Sequence, residues 1–178
     1  MHKDVSEILV GEREIQNKIS ELGEKITRDY RDKNLLLISV LKGSFIFMAD
    51  LIRAVGIDLN IDFMIVSSFS GTVSTGVVRI VHDISIPVEG LDLLIVEDIL
   101  DSGRTLEYIT SILKGRGPKS IEICALLDKP SRRMVDIKAK YTGFTVPDEF
   151  VVGYGLDYNE KYRNLPYVGV LKPEVYGV

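Results

Sequence analysis

The sequence predicts an α/β fold in which helices flank a mainly parallel sheet and a small hood subdomain covers one end. Apolar runs at 35–40 and 93–96 each precede a helical apolar period and then a second strand-like run. A helical crossover returns the chain to the same edge of a sheet, so both strand pairs are expected to be parallel. The 178 residues, 46% of them hydrophobic, are enough for a single domain over 1–178 with its own core.

A long amphipathic helix opens the chain. Apolar side chains recur at steps of three and four between residues 12 and 30 and fall on one stripe of a helix: Ile15, Ile19, Leu22, Ile26 and Tyr30. The strand at 35–40 follows, then a helix over 45–55 that stops at Gly56, then an extended stretch at 58–68. These last three elements form the first strand–helix–strand unit.

The second unit has the same order of elements. A buried strand at 93–96 precedes a helix over 105–113, which ends at Gly115, and a further strand at 121–127.

The sequence also predicts how these units are joined and covered. Residues 70–76 between the units are small or β-branched and lack an apolar period, which is typical of a mobile loop. We therefore expect a mobile lid over 68–77. The core is expected to span 35–140, and the hood is expected to form from the N-terminal segment and residues 141–178.

Charge and cysteine content argue against several classes of protein. Lys and Arg total 22 against 26 Asp and Glu, a net charge of −4, so a broad basic face for nucleic acid is not expected. The single cysteine, Cys124, lies in an apolar run and is expected to be a buried free thiol. A free thiol fits a reducing compartment. No apolar run approaches the roughly 20 residues that span a bilayer. We expect a cytoplasmic protein that binds neither nucleic acid nor membranes.

Residues 96–106, Val-Glu-Asp-Ile-Leu-Asp-Ser-Gly-Arg-Thr-Leu, carry the strongest chemical signal. They lie between a predicted strand and helix at the carboxyl end of a parallel sheet, where open α/β folds bind ligands. Asp101, Ser102, Gly103 and Thr105 combine hydroxyls, a tight turn and free N–H groups at a helix start, which suits a monophosphate. A helix cap formed by Asp101 or Ser102 is the structural alternative.

Two consecutive carboxylates precede this loop. Glu97 and Asp98 are bracketed by apolar residues on both sides, so simple solvation does not explain the pair. Vicinal carboxylates suit sugar hydroxyls and Mg²⁺, because hard cations take oxygen ligands and keep several waters. The sequence therefore predicts a sugar-phosphate site with bound magnesium.

Residues 96–106 resemble the phosphoribosyl-diphosphate motif of the type I phosphoribosyltransferases, and the resemblance implies that family's fold. Four further segments narrow it to the hypoxanthine-guanine phosphoribosyltransferases. They are a pyrophosphate loop at 40–45, a purine-reading segment at 126–133, a flexible lid at 67–71 with 74–76, and a purine hood at 147–160 with Tyr162 and Arg163. The resemblance runs from about residue 12 to residue 170.

The resemblance implies a role for each part of the donor site. The 5′-phosphate would lie on Asp101, Ser102, Gly103, Arg104 and Thr105, with Glu97 and Asp98 on the ribose hydroxyls and on Mg²⁺. Asp101 would also exchange a proton with the purine N7 as general acid and base. Lys42 and Gly43, reached through a non-proline cis peptide, would contact pyrophosphate together with Arg163.

The purine side follows from the same resemblance. Lys129 would donate to the purine 6-oxo group, Phe150 would stack on the ring, and Val151 would contribute backbone contacts. Asp157 would bind the second Mg²⁺ near the purine 2-position. Without the motif, a Lys-Pro turn at Lys129 and core packing at Phe150 are the ordinary interpretations. Arg133 matches a basic residue of the family but receives no role.

The lid departs from the family pattern. The family carries Ser-Tyr where this chain has Ser68 and Phe69, so the hydroxyl is missing.

The implied activity is Mg²⁺-dependent transfer of a phosphoribosyl group from phosphoribosyl diphosphate to hypoxanthine or guanine, by a homodimer or homotetramer. Two alternatives stay open at this point. One is a sister enzyme that prefers xanthine, and the other is a non-catalytic regulator that senses phosphoribosyl diphosphate.

Overall fold

Two sheets form the frame of the protein, a six-stranded main sheet and a three-stranded hood sheet. The computed structural model describes residues 1–68 and 78–177. In chain order the elements are β1 (Val5–Val10), α1 (Glu12–Asp29), β2 (Leu35–Leu41), α2 (Phe45–Ala54), β3 (Asn60–Ser68), β4 (Val78–His82) and β5 (Asp92–Leu100). They continue with α3 (Arg104–Lys114), β6 (Ser120–Asp128), a 3-10 turn (Pro130–Arg132), β7 (Tyr141–Thr145), β8 (Val151–Val152), β9 (Val168–Leu171) and α4 (Pro173–Tyr176).

The main sheet has the strand order β4-β3-β2-β5-β6-β7. Strand β4 is antiparallel to β3, and every other neighbouring pair is parallel. This confirms the predicted mainly parallel α/β fold. The chain leaves β2 toward β3 on one side and leaves β5 toward β6 on the other, so the loops after β2 and β5 flank a switch point. Ligands of open α/β sheets bind at such a crevice.

Each face of the main sheet has its own core. Helices α1 and α2 cover one face, where the predicted stripe of α1 is buried against alternate side chains of β2. Helix α3 covers the other face through Leu106, Ile109 and Leu113. Burial on both faces explains why β2 and β5 appear in the sequence as continuous apolar runs rather than as alternating ones.

The hood sheet is built from both ends of the chain. Strand β1 pairs antiparallel with β9, which pairs in turn with β8. Val5, Val152 and Leu171 are the buried centre of this small layer. The N-terminal segment, which the sequence assigns to the hood, thus forms one strand of this sheet.

Two predicted boundaries are wrong. Strand β5 continues through Glu97 and Asp98 to Leu100, so these carboxylates belong to the strand and the loop shrinks to residues 101–103. Strand β7 pairs parallel with β6 in the main sheet. Residues 141–145 are therefore part of the core rather than of the hood, because the Tyr141 ring is buried and its hydroxyl donates to Asp29 of α1 at 2.7 Å.

The predicted lid can be compared with the structure at its edges alone. Ser68 ends β3 and its backbone pairs with Val78, while Phe69 and the rest of the lid to residue 77 lie outside the described residues. Over 1–68 and 78–177, no helix combines the length and apolar character that a membrane crossing requires.

Candidate active site

A small cavity lies where β5 turns into α3. It has a volume of about 70 Å³ and is lined by residues between Glu97 and Leu106. Gly103 turns the chain with φ of 84°, in the left-handed region, and precedes the first turn of α3. Ser102 Oγ lies 3.5 Å from the amide nitrogen of Arg104, at the outer limit of a hydrogen bond. The predicted helix cap is therefore weak, and the N-terminal N–H groups of α3 are available to an anion.

The carboxylate of Asp101 stands at the rim of this cavity. Its Oδ1 atom lies 3.2 Å from Nε of Arg132, whose Nη1 lies 3.5 Å from Asp148 Oδ1. The backbone carbonyl of Asp101 accepts a hydrogen bond from Arg133 Nε at 3.0 Å. The Asp101 side chain thus faces Arg132 at the rim, and Arg133 holds the Asp101 backbone carbonyl.

Glu97 and Asp98 are half-buried acidic groups near the end of β5. Burial raises the pKa of Glu97 well above its ordinary value, and the neighbouring charge of Asp98 raises it further. Burial raises the pKa of Asp98 to about 6, against the opposing hydrogen bond that the Ile99 N–H donates at 2.8 Å. Glu97 Oε2 is buried and has no hydrogen-bond partner among the described residues. An unpartnered oxygen at this position fits a sugar hydroxyl or a hard cation.

The three predicted magnesium ligands do not form one protein cage. In the described part of the chain, no group of three or more His, Cys, Asp or Glu side chains is arranged to hold a metal. Asp157 forms an ion pair with Arg163 at 2.8 Å. Mg²⁺ commonly takes one or two carboxylates and completes its shell with water and substrate phosphates. The half-buried Glu97–Asp98 pair fits that mode, with Asp157 close enough to influence Asp98 electrostatically.

The loop after β2 lies directly against the end of strand β5 and against the hood. The Leu41–Lys42 peptide is cis, as the family resemblance implied. A Cβ added at Gly43 would lie 1.8 Å from Asp98 Oδ2, and one added at Gly155 would lie 2.0 Å from the carbonyl oxygen of Gly43. Glycine is therefore required at both positions, and the close approach brings three segments of the chain into one site.

Arg163 is a structural part of this site rather than an ordinary surface arginine. Its side chain is 19% exposed. It donates to the Gly155 carbonyl at 2.7 Å and pairs with Asp157 at 2.8 Å and with Glu160 at 3.4 Å. Lys42 reaches the same Glu160 at 3.1 Å. The two cations predicted to contact pyrophosphate thus share one carboxylate at the entrance to the site.

The residues predicted to bind the purine lie after β6 and at the start of β8. Lys129 is 6% exposed, and its Nζ donates to the Glu149 carbonyl at 2.7 Å. Phe150 is 39% exposed and does not pack in the core. Its ring stacks on Tyr176 with centroids 5.0 Å apart and meets the edge of Tyr158 at 5.5 Å. Val151 is buried in β8.

Sequence reasoning left Arg132 and Arg133 without roles, yet both contact Asp101. Arginines in a polar loop after a strand give no periodic signal. Strands β5 and β6 are parallel neighbours and pair Leu100 with Asp128 at their ends. This pairing is the one signal that the loops after these two strands meet.

Comparison with known proteins agrees with the motifs. A phosphoribosyl transferase domain matches residues 6–159. A hypoxanthine-guanine phosphoribosyltransferase of Staphylococcus aureus is 56% identical over 177 residues, 99% of this chain and 99% of that protein. A bifunctional TilS/HprT protein of Listeria monocytogenes is 54% identical over 177 residues, which is 99% of this chain, and this chain spans 27% of the length of that relative.

Solved structures give the same result. A crystal structure of a Staphylococcus aureus hypoxanthine phosphoribosyltransferase superposes with a TM-score of 0.96 at 55% identity, covering 100% of this chain and 97% of that one. A Trypanosoma cruzi hypoxanthine phosphoribosyltransferase in a ternary complex with substrates has a TM-score of 0.93 at 41% identity, covering 98% of this chain and 100% of that one.

Proposed function

This chain belongs to the hypoxanthine-guanine phosphoribosyltransferases, and from that premise we propose the reaction that it performs. It transfers the 5-phosphoribosyl group of phosphoribosyl diphosphate to hypoxanthine or guanine. The products are IMP or GMP and pyrophosphate. The reaction requires Mg²⁺.

One observation carries the proposal. Leu100 and Asp128 are paired residues of neighbouring parallel strands, so Asp101 and Lys129 leave the sheet side by side. The Lys129 amide donates to the Leu100 carbonyl at 3.0 Å, which ties the two loops together. A 6-oxopurine carries its N7 and its 6-oxo group on one edge. A carboxylate beside an ammonium therefore matches that edge.

Each residue then has a defined task. Asp101 takes the N7 proton in the forward direction and returns it in reverse. Lys129 donates to the 6-oxo oxygen, and Phe150 and the Val151 backbone hold the ring. These contacts favour a 6-oxopurine, because adenine would place an amino group against a buried donor.

The donor is held by the other half of the site. The 5′-phosphate accepts hydrogen bonds from the loop and helix start formed by Asp101, Ser102, Gly103, Arg104 and Thr105. Lys42, the Gly43 backbone and Arg163 bind the pyrophosphate group.

Glu97, Asp98 and Asp157 would hold magnesium, which supplies positive charge to the departing pyrophosphate. Support for this comes from the buried, unpartnered oxygen of Glu97 and the raised pKa of Asp98. Glu97 lines the phosphate cavity, and Asp98 lies beside Gly43 of the proposed pyrophosphate loop.

The test is product analysis by chromatography. The purified protein is incubated with phosphoribosyl diphosphate, Mg²⁺ and one of hypoxanthine, guanine, xanthine or adenine. We expect IMP and GMP, no AMP, and loss of product with EDTA. Faster conversion of xanthine would establish the xanthine-preferring alternative. A folded protein that binds phosphoribosyl diphosphate without turning over any base would be a sensor, and the proposal would be wrong.

The setting of the enzyme belongs to the same proposal. A cytoplasmic location is supported by Cys124, a single thiol that is fully buried. A homodimer or homotetramer is supported by membership of the family, and light scattering on the purified chain measures it.

A further inference from the structure

Arg133 lies beneath the loop that carries Asp101, with its side chain 17% exposed. Its guanidinium donates to three backbone carbonyls, those of Leu100 and Asp101 at 3.0 Å each and that of Ile137 at 2.8 Å. It also forms an ion pair and hydrogen bond with the Asp128 carboxylate. A planar guanidinium can make these four contacts at once, whereas an ammonium is a compact point donor.

The segment that follows Arg133 shapes the same loop. The Met134 N–H donates to the Ser102 carbonyl at 3.0 Å. A Cβ added at Gly103 would lie 2.6 Å from Ile137 Cγ2 and 2.9 Å from Val135 Cγ2. The phosphate loop therefore rests on residues 133–137, and its backbone position depends on where that segment is held.

The Asp128 contact connects this support to the purine side. Asp128 ends β6 and immediately precedes Lys129. The Leu100 carbonyl accepts both the Lys129 amide and Arg133 Nη2, each at 3.0 Å. One guanidinium thus touches the strand end before Asp101 and the strand end before Lys129.

We propose that Arg133 is a positioning residue of the transferase, fixing the spacing between the acid–base carboxylate of Asp101 and the ammonium of Lys129. It touches neither substrate; it acts through the backbone of the 101–103 loop and through Asp128. This inference rests on the proposed function for its catalytic consequence and on the contacts above for its structural content. A misplacement of about 1 Å in such a constellation lowers a rate by about 100-fold.

The experiment compares Arg133→Ala and Arg133→Lys with Arg116→Ala. Arg116 is a matched control, because it makes a two-pronged pair with Asp83 at 2.6 and 2.9 Å away from the site. We expect kcat for hypoxanthine to fall about 100-fold in both Arg133 variants and to stay within about twofold in the control. Guanidinium chloride at millimolar concentration should restore kcat about tenfold in Arg133→Ala by filling the vacated position.

Amide hydrogen exchange at Lys129 and Met134, whose N–H groups donate to the Leu100 and Ser102 carbonyls at 3.0 Å each, provides a second readout that needs no turnover. We expect protection there to fall in Arg133→Ala and to recover with guanidinium. Near wild-type kcat in a folded Arg133→Lys, or a recovery of thermal stability by guanidinium without a recovery of kcat, would overturn the proposal. If Arg133→Ala does not fold, Arg133→Lys carries both measurements. An inactive wild-type protein would refute the proposed function. Unchanged amide hydrogen exchange in a folded Arg133→Ala would refute the role of Arg133.

Discussion

Asp101 and Lys129 lie at neighbouring strand ends but are held in different ways. Lys129 is 6% exposed and already donates to the Glu149 carbonyl. The Asp101 side chain is 40% exposed, and its Oδ1 atom lies 3.2 Å from Nε of the exposed Arg132. The Lys129 ammonium is thus held against a carbonyl acceptor, whereas the Asp101 carboxylate is open to solvent.

Replacement of Asp101 by Asn should affect the chemical step. An amide cannot take the N7 proton, so we expect kcat to fall about 100- to 1,000-fold with KM values changed by less than about threefold. Steady-state kinetics with hypoxanthine measure both parameters. The replacement Asp58→Asn, at an exposed position before β3, is the matched control. An Asp101→Asn enzyme with near wild-type kcat would contradict the acid–base role.

Replacement of Lys129 by Met should affect the choice of base. The variant loses the donor to the 6-oxo group, so kcat/KM for hypoxanthine should fall about 100-fold or more while that for adenine changes little. Competition between the two bases measures the ratio directly. Lys140→Met, a surface lysine paired with Glu122 at 3.4 Å, should leave the ratio unchanged. Equal losses for both bases would show that Lys129 supports the fold rather than reads the purine.

The raised pKa of Asp98 predicts a pH-dependent stability. Between its ordinary value of 3.8 and about 6, the folded protein binds more protons at this group than the unfolded chain does. The free energy of unfolding therefore decreases as pH rises through this window. Asp98→Asn removes the effect, so at pH 7.5 it should raise the free energy of unfolding by about 3 kcal/mol. At pH 3.5 the gain should vanish.

Urea unfolding at both pH values, with EDTA present, measures this difference. Asp58→Asn serves again as the control. A variant that is equally or less stable at pH 7.5 would show that burial does not penalise the Asp98 charge. Asp98→Asn should also lower activity, because the variant lacks the carboxylate that we propose binds the ribose hydroxyls and magnesium. Greater stability at the cost of activity is common when a functional charge is removed.

At the scale of elements, the sequence predicts which helices and strands form better than it predicts where they end. The α1 stripe and the apolar runs of β2 and β5 follow directly from periodicity and burial, and the structure confirms them. The end of β5 was predicted too early, since Glu97 and Asp98 look like loop residues by composition. Their place in a buried strand depends on tertiary contacts with the loop after β2.

The residues of the candidate site also differ in how far the sequence alone predicts them. The phosphate loop was accessible from its residues alone, since hydroxyls, glycine and a helix start occur together in one segment. The purine side was accessible from the family resemblance alone, because Lys129 and Phe150 are ordinary turn and core residues by pattern. Arg133 was not assigned, since its four acceptors come from three separate parts of the chain.

The close packing of the β2 loop against Asp98 predicts the effect of Gly43→Ala. The added methyl group would lie 1.8 Å from Asp98 Oδ2, so that carboxylate must move. We expect kcat/KM for phosphoribosyl diphosphate to fall about 100-fold, because the displaced group faces the donor. Gly56→Ala is the matched control, since its nearest contact would be Thr27 at 3.6 Å. Unchanged kinetics in Gly43→Ala would show that the Asp98 position is not critical.

At the scale of the whole molecule, the hood joins the core through a shared apolar cluster, which includes Val151 and Val168, and through polar contacts. The Tyr154 hydroxyl donates to Asp50 of α2 at 2.5 Å, and Gly155 lies against Gly43. Burial and the Asp50 contact both raise the pKa of Tyr154, so the phenol stays protonated as the donor. The Tyr154 hydrogen bond therefore links the hood to α2 beside the loop that contains Gly43.

Tyr154→Phe should loosen this coupling. Loss of the hydrogen bond should lower the free energy of unfolding by about 1 to 2 kcal/mol. It should also raise KM for hypoxanthine more than KM for phosphoribosyl diphosphate. Tyr141→Phe is the matched control: it removes a similar hydrogen bond, to Asp29 at 2.7 Å, within the core. Equal effects of the two variants on the KM for hypoxanthine would contradict a coupling role for Tyr154.

The pairing of the first strand with the last strand also imposes an order on synthesis. A ribosome releases residues 35–145, and with them the whole main sheet, before it releases Val168–Leu171. Until then β1 has no partner, since it pairs with β9. The nascent chain can therefore complete the anion pocket while the purine side is still unformed. Competence for the base therefore requires Val168–Leu171, which follow the whole main sheet in the chain.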